Sequence, residues 1–201
     1  MNFESFREKI GYQPVLLGTF ALLASGALAW ASGATGDSIA AAEAKDLRDS
    51  LSEVLPAGMA DNDFLKDTVE LDKDGKPILI YRARKEGTVQ AALFKVSERG
   101  YSGEIQVLMA VGVDGRVLGV RVLKHTETPG LGDKIEIKKD PWVKGFDGKS
   151  LGDPVPEKWA VKKDGGIFDQ FAGATITPRA VVKAVKGGME FFSAHKAEIS
   201  G

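Results

Sequence analysis

ILIYRARKEGTVQAALFKVSERGYSGEIQVLMAVGVDGRVLGVRVL, residues 78–123, is the stretch that decides the fold. Its β-forming residues come in short runs, Ile78 to Ala83, Val89 to Val96, Glu104 to Val111 and Arg116 to Leu123, separated by polar or glycine-containing turns. The last two runs flank Gly112-Val113-Asp114-Gly115, and Asp-Gly favours a hairpin turn. The spacing predicts an antiparallel meander. C-terminal to it the sequence predicts a glycine-rich loop at Thr128 to Asp133, a helical turn around Trp142 to Phe146, a strand at Trp159 to Lys162 and a helix from Pro178 to about His195. N-terminal to it, Ile39, Ala42, Leu47, Leu51 and Val54 recur at helical spacing, with Asp37 or Ser38 as N-cap and Pro56 as stop.

Further upstream, no charge occurs between Lys9 and Asp37, and Pro14 to Ala31 is rich in Leu, Ala and Val, enough to span a bilayer. Tyr12 and Trp30 suit the two interfaces. Arg7 and Lys9 precede the span, whereas Asp37 and Glu43 follow it, so the positive-inside rule places the N-terminus in the cytoplasm. A cleaved signal peptide competes through Ala27-Leu28-Ala29, but this apolar stretch exceeds the usual ~7–15-residue signal core. The expected architecture is α+β: an N-terminal transmembrane helix followed by a single extracytoplasmic domain with an antiparallel sheet and flanking helices. The expected divisions are 1–13 cytoplasmic, 14–33 membrane anchor and 34–201 extracytoplasmic.

Composition narrows the chemistry. The chain has 201 residues, 43% of them hydrophobic, which suffices for a core of ordinary domain size. Lys and Arg number 27 against 28 Asp and Glu, so the basic surplus of a nucleic-acid binder is absent. With no cysteine and two histidines, thiolate metal sites, iron–sulfur clusters and thiol nucleophiles are excluded and little remains for any metal. An organic cofactor is the expected source of reactivity.

Two stretches suit a ligand. In Lys124-His125-Thr126-Glu127-Thr128-Pro129-Gly130-Leu131-Gly132-Asp133 the glycines permit positive φ or close approach, presenting free N–H groups and the Thr128 hydroxyl, though a polar strand-ending turn would read the same way. His125 beside Glu127 does not forbid acid–base work, but no nucleophile motif accompanies it and no catalytic residue is assigned. The second stretch, Asp164 to Pro178, runs through Asp169, Gly173, Ala174 and Thr175 into a helix start at Thr177-Pro178. Thr177 reads as the N-cap, and the Thr175 hydroxyl just ahead of a helix N-terminus is placed to meet or be esterified to phosphate; an ordinary capped turn is the plainer alternative. The string Ser32-Gly33-Ala34-Thr35 copies the small-Gly-Ala-Thr pattern without an upstream aspartate or a Thr-Pro start, and reads as coincidence. Lys138, Lys139, Asp140, Lys162 and Lys163 read as solvated charges, and His195 as a helix C-terminal dipole partner.

Together, the N-terminal span, HTETPGLGDKIE (His125 to Glu136), WAVKKDGGIFDQF (Trp159 to Phe171) and AGATITP (Ala172 to Pro178) closely resemble the G subunit of the bacterial Rnf/Rsx electron-transport complex. That family belongs to the covalent FMN-binding domains, which include the C subunit of the sodium-pumping NADH:quinone oxidoreductase. The resemblance implies FMN esterified through its phosphate to a threonine in a motif resembling Asp-x-x-Ser/Thr-Gly-Ala-Thr. Asp169, Gly173, Ala174 and Thr175 match, Thr175 being the acceptor, and Ala172 departs from the commoner Ser or Thr. Besides Thr175, cofactor contacts are expected from Asp169, Gly173, Ala174, Thr177, His125, Glu127, Thr128, Gly130 and Leu131.

The resemblance further implies one covalent FMN per chain, a flavin transferase that uses FAD as donor, other membrane subunits as partners, and a single-pass inner-membrane protein whose bulk is periplasmic. The expected role is a redox carrier in an ion-translocating oxidoreductase, with no stand-alone catalysis. The alternatives are a flavin-free tethered binding or assembly module and a C-type subunit.

Overall fold

A computed structural model describes residues 12–73 and 75–201; Arg7 and Lys9, on which the orientation argument drew, lie outside the described residues. Helix α1 spans Tyr12–Glu53. Within it Gln13–Ser32 is long and apolar enough to cross a membrane, about 30 Å at 1.5 Å per residue. The expected separate helix starting at Asp37 or Ser38 is not found: both residues lie inside α1, so neither caps a helix start. The polar and small residues there carry good helix formers on both sides, and no Pro interrupts them before Pro56. The chain divides into a unit up to Leu47 and a unit from Arg48 to Gly201.

In the second unit, five strands among the described residues form one antiparallel sheet in chain order: β1 Thr68–Lys73, β2 Lys76–Lys85, β3 Thr88–Arg99, β4 Glu104–Gly112 and β5 Val117–Lys124. The expected meander is present with one additional edge strand, β1. Its sequence TVELDK is charged at alternate positions and only partly buried, which suits an edge. Ala91, Ala92, Leu93 and Phe94 in β3 are all buried. Neighbouring strand residues point to opposite faces, so both faces of the sheet centre are covered.

One face carries Phe94, Val96, Val107 and Met109, packed with Val181, Val185, Met189 and Phe192 of helix α2, Ile176–Ala194. Its buried positions recur at helical spacing while Arg179, Lys183 and Glu190 stay exposed. Near the other face lies the end of α1: Leu51 and Val54 are buried, and a Cβ on Gly119 of β5 would stand 2.6 Å from the Val54 carbonyl oxygen. A short helix α3, Lys196–Ser200, follows His195, whose Nδ1 lies 3.0 Å from the Phe191 carbonyl oxygen and whose ring packs on Phe191.

Between β5 and α2, among the described residues, no strand forms. The chain folds there into four 3₁₀ turns, Asp133–Ile135, Pro141–Phe146, Pro156–Lys158 and Lys162–Asp164. Trp159 to Lys162 is therefore not the expected strand; only an isolated bridge pairs Val161 with Phe168. Its apolar residues bury against an aromatic cluster instead: Phe146 stacks on Phe168 with ring centres 4.5 Å apart, and Trp159 lies 5.5 Å from Phe168.

Candidate functional site

The loop after β5 and the start of α2 come together around a cavity of about 440 Å³. Its wall contains seven of the residues expected from sequence: Glu127, Thr128, Leu131, Gly173, Ala174, Thr175 and Thr177. Tyr101, Gly132 and Ile176 complete it. Tyr101 and Ile176 were not expected, although a tyrosine in the tight Gly100-Tyr101-Ser102-Gly103 turn is a readable sign of an aromatic held out of the core. Tyr101 is 70% exposed, and Leu131 and Ile176 also present apolar surface at the rim.

His125, Gly130 and Asp169 stand outside this wall. His125 Nε2 lies 2.9 Å from Glu136 Oε1, and its Nδ1 accepts the Glu127 N–H at 3.1 Å, so Nε2 carries the proton and donates to Glu136. Asp169 is largely exposed and pairs with Lys162 at 2.5 Å; its carbonyl oxygen accepts the Trp142 indole N–H at 2.8 Å.

The two loop glycines do different work. Gly130 has φ 78°, the left-handed conformation that glycine adopts without strain, and a Cβ there would meet nothing. Gly132 permits close approach: a Cβ would lie 2.9 Å from both Glu127 Cβ and Thr177 Oγ1. Below the loop, Asp133 is buried and accepts from Lys139 Nζ at 2.7 Å. That bond, with the Gly130 N–H, holds the Asp133 carboxyl below its ordinary value. Lys139 also reaches Glu136 at 3.2 Å, so this exposed lysine, expected as a solvated charge, ties two carboxylates together as well.

The two threonines are equally distinct. Helix α2 begins at Ile176, with Thr175 as the flanking residue, so Thr177 does not cap it. Thr177 sits in the first turn, 1% exposed, and its hydroxyl donates to Glu127 fifty residues away. Pro178 is tolerated there because a first-turn N–H has no intrahelical acceptor. Thr175 is half-buried and makes no side-chain cap bond; its hydroxyl borders the cavity with no hydrogen-bond partner among the described residues. The first-turn N–H groups of Ile176 and Thr177 lie beside it, and helix N-termini attract anions.

A cavity of this size is within the range of small-molecule sites, and its donor set combines a free hydroxyl, a helix start and an apolar rim. These features fit a phosphate-bearing planar ligand. Residues 100–190, which contain all of them, match the FMN-binding domain family. Over 92% of its length the chain is 54% identical to the G subunit of the ion-translocating oxidoreductase complex of Cereibacter sphaeroides, covering 85% of that protein. The chain belongs to this G-subunit family. The G subunit of Stutzerimonas stutzeri is 47% identical over 94% of this chain and 83% of its own length. That of Pseudomonas aeruginosa is 50% identical over 92% and 89%. Among solved structures, NqrC of Shewanella oneidensis is 26% identical, covers 71% of this chain and 72% of its own, and superposes with a TM-score of 0.49.

Proposed function

We propose that this chain is the electron-carrier subunit of a membrane-bound ion-translocating oxidoreductase complex, holding one FMN as a phosphoester on Thr175. The observation that carries the reading is the contrast between the two threonines at the start of α2. Thr175 offers a free hydroxyl at the cavity, whereas the Thr177 hydroxyl is buried and engaged with Glu127. Membership of the G-subunit family and the FMN-binding match support the redox role and the identity of the flavin.

Bound FMN would supply the reversible electron chemistry. The protein's own contribution is positional. The N–H groups of Ile176 and Thr177, at the start of α2, would hold the phosphodiester, whose remaining negative charge the helix N-terminus would stabilise by roughly 0.3–1 kcal/mol. Gly173, with φ 78°, turns the chain so that Ala174 and Thr175 edge the cavity. Tyr101, Leu131 and Ile176, which line the cavity and are partly exposed, would give the ring apolar cover. Attachment from FAD by a flavin transferase would use the Thr175 hydroxyl as acceptor, the new P–O bond replacing the pyrophosphate bond with release of AMP and of the hydroxyl proton. Asp169, the first residue of the motif and expected as a cofactor contact, lies on the exposed surface ahead of the Gly-Ala-Thr string, paired with Lys162. The orientation follows the family likeness: N-terminus cytoplasmic, residues 34–201 periplasmic, anchored in the inner membrane beside the other subunits.

Peptide mass spectrometry of the full chain, purified from a host with the transferase, tests the reading. An FMN adduct is expected on the peptide containing Thr175, and Thr175→Ala is expected to be folded and flavin-free. An adduct on Thr177 or Thr35, or none on the wild type, overturns it.

A further inference from the structure

Glu127 is 5% exposed and lines the cavity, yet every donor it meets among the described residues is neutral. Ser102 N–H reaches its Oε1 at 2.9 Å, Tyr101 N–H reaches Oε2 at 3.3 Å, and the Thr177 hydroxyl donates to Oε2. All three partners donate, so the carboxyl acts solely as an acceptor, the hydrogen-bonding role of the ionised form. No ion pair among the described residues involves it. The neighbouring buried carboxylate, Asp133, has Lys139. Space is reserved for Glu127 on two sides: a Cβ on Gly100 would lie 2.6 Å from its Oε1, and one on Gly132 would lie 2.9 Å from its Cβ.

Both carboxylate oxygens are engaged by donors, a pattern that an amide with its single acceptor oxygen could not meet, and the charge is held here without a cation beside it among the described residues. We propose that the Glu127 carboxylate sets the reduction potential of the flavin in this cavity, its uncompensated negative charge disfavouring the electron-rich reduced form. The inference rests on the FMN reading above. The physical basis is like-charge repulsion in a site sheltered from water, where Coulomb terms exceed their bulk-water size several-fold. The same carboxylate positions the walls, because it ties the turn that carries Tyr101 to the helix start that follows Thr175.

The test compares Glu127→Gln and Glu127→Asp with the wild type, each as the full chain from a transferase-competent host. Redox titration of the flavin absorbance gives the midpoint potential, and hydrogen exchange at the Tyr101 and Ser102 amides reports the ties. Glu127→Gln keeps the size, loses the charge and replaces one acceptor oxygen with an NH2 group, so its potential is expected to shift upward while protection falls at whichever of the Tyr101 and Ser102 amides faces the NH2 group. Glu127→Asp keeps the charge on a shorter arm, so its potential is expected to stay near the wild-type value while amide protection at Tyr101 and Ser102 falls. An unchanged potential in Glu127→Gln, or equal upward shifts in both variants, overturns the inference. If Glu127→Gln does not fold, Glu127→Ala, which removes the charge without setting donor against donor, takes its place: an upward shift in its potential that Glu127→Asp does not share sustains the inference and an unchanged potential overturns it. Flavin missing from the wild-type chain would count against the Thr175 reading itself, which separates the two failures.

Discussion

The sheet of residues 68–124 and the segment of residues 125–175 are held in different ways. In the sheet, backbone hydrogen bonds run strand to strand and each strand packs its alternate side chains on one of two covered faces. In the segment, short turns alternate with single side-chain ties, and an aromatic cluster of Trp142, Phe146, Trp159, Phe168 and Phe171 takes the place of a ladder. The first arrangement repeats a local rule. The second depends on individual contacts, and it supplies most of the cavity wall.

If the aromatic cluster is core in the same sense as the sheet, deleting a ring from either should cost alike. Phe146 and Phe94 are both fully buried, the first stacked on Phe168 and the second edge-on to Phe191 at 6.0 Å. Phe146→Ala and Phe94→Ala are each expected to lose about 3–5 kcal/mol in urea unfolding monitored by far-UV circular dichroism. A loss below about 1 kcal/mol for Phe146→Ala alone would mark the segment as a surface loop resting on the sheet.

Glycine substitutions sharpen the same comparison at smaller cost. A Cβ on Gly166 would overlap the Ala160 backbone carbonyl, and a Cβ on Gly119 would press on that of Val54. Neither backbone neighbour can turn aside as a side chain does, so Gly166→Ala and Gly119→Ala are each expected to cost about 1–3 kcal/mol. Gly145→Ala, with nothing within 4 Å, is the control and should shift the midpoint little. If Gly166→Ala behaves like Gly145→Ala, the segment adjusts where the sheet does not.

What could be read from sequence follows the same division. The four runs from Ile78 to Leu123 matched β2 to β5 to within a few residues because burial on two faces demands β-forming residues in short blocks. Strand β1 was missed because an edge strand keeps charges at alternate positions. Trp159 to Lys162 was misread because aromatic and β-branched residues bury equally well in a cluster of turns. At the site, Thr128 and the Gly173-Ala174-Thr175 turn come from local loop chemistry and Leu131 from the family resemblance, and the structure brings them to one cavity. The role of Thr177 was not: its hydroxyl is committed to Glu127, fifty residues away, while the adjoining Pro178 imitates a helix-start signal. Tyr101 was overlooked because the turn that carries it is distant in sequence from both glycine loops.

The smallest expected effect is the pH response of the ties beneath the loop. His125's hydrogen bond, the largest influence, joins Lys139 to hold Glu136 below its ordinary value against the opposing effect of burial. Asp133 is lowered first by Lys139, and Lys139 is raised by the two carboxylates. In the sheet, burial pushes Asp67 upward, but hydrogen bonds from Arg84 and Arg82 outweigh it and leave it lowered. A carboxyl lowered in the folded state contributes its full stabilisation above its unfolded value, near 4, and loses it as pH falls through the lower folded value; raised Lys139 contributes fully below about 10.4 and loses its share as pH rises through its folded value. Both regions should therefore loosen in acid; in strong alkali the loop ties loosen as Lys139 loses its proton, and the sheet loosens as Tyr81, whose phenol is pushed up by burial, is driven to ionise. Leu131 and Gly132 N–H groups bond to the Thr128 carbonyl at 3.2 and 3.0 Å, so their hydrogen exchange reports the loop. Asp133→Asn is expected to reduce the acid-induced loss of protection at those two amides while the Arg82 amide, bonded to the Asp67 carbonyl at 2.9 Å, responds as in the wild type. If all three amides changed together in that variant, loop and sheet would open as one unit, and the division between a repeating ladder and individually tied turns would not extend to their dynamics.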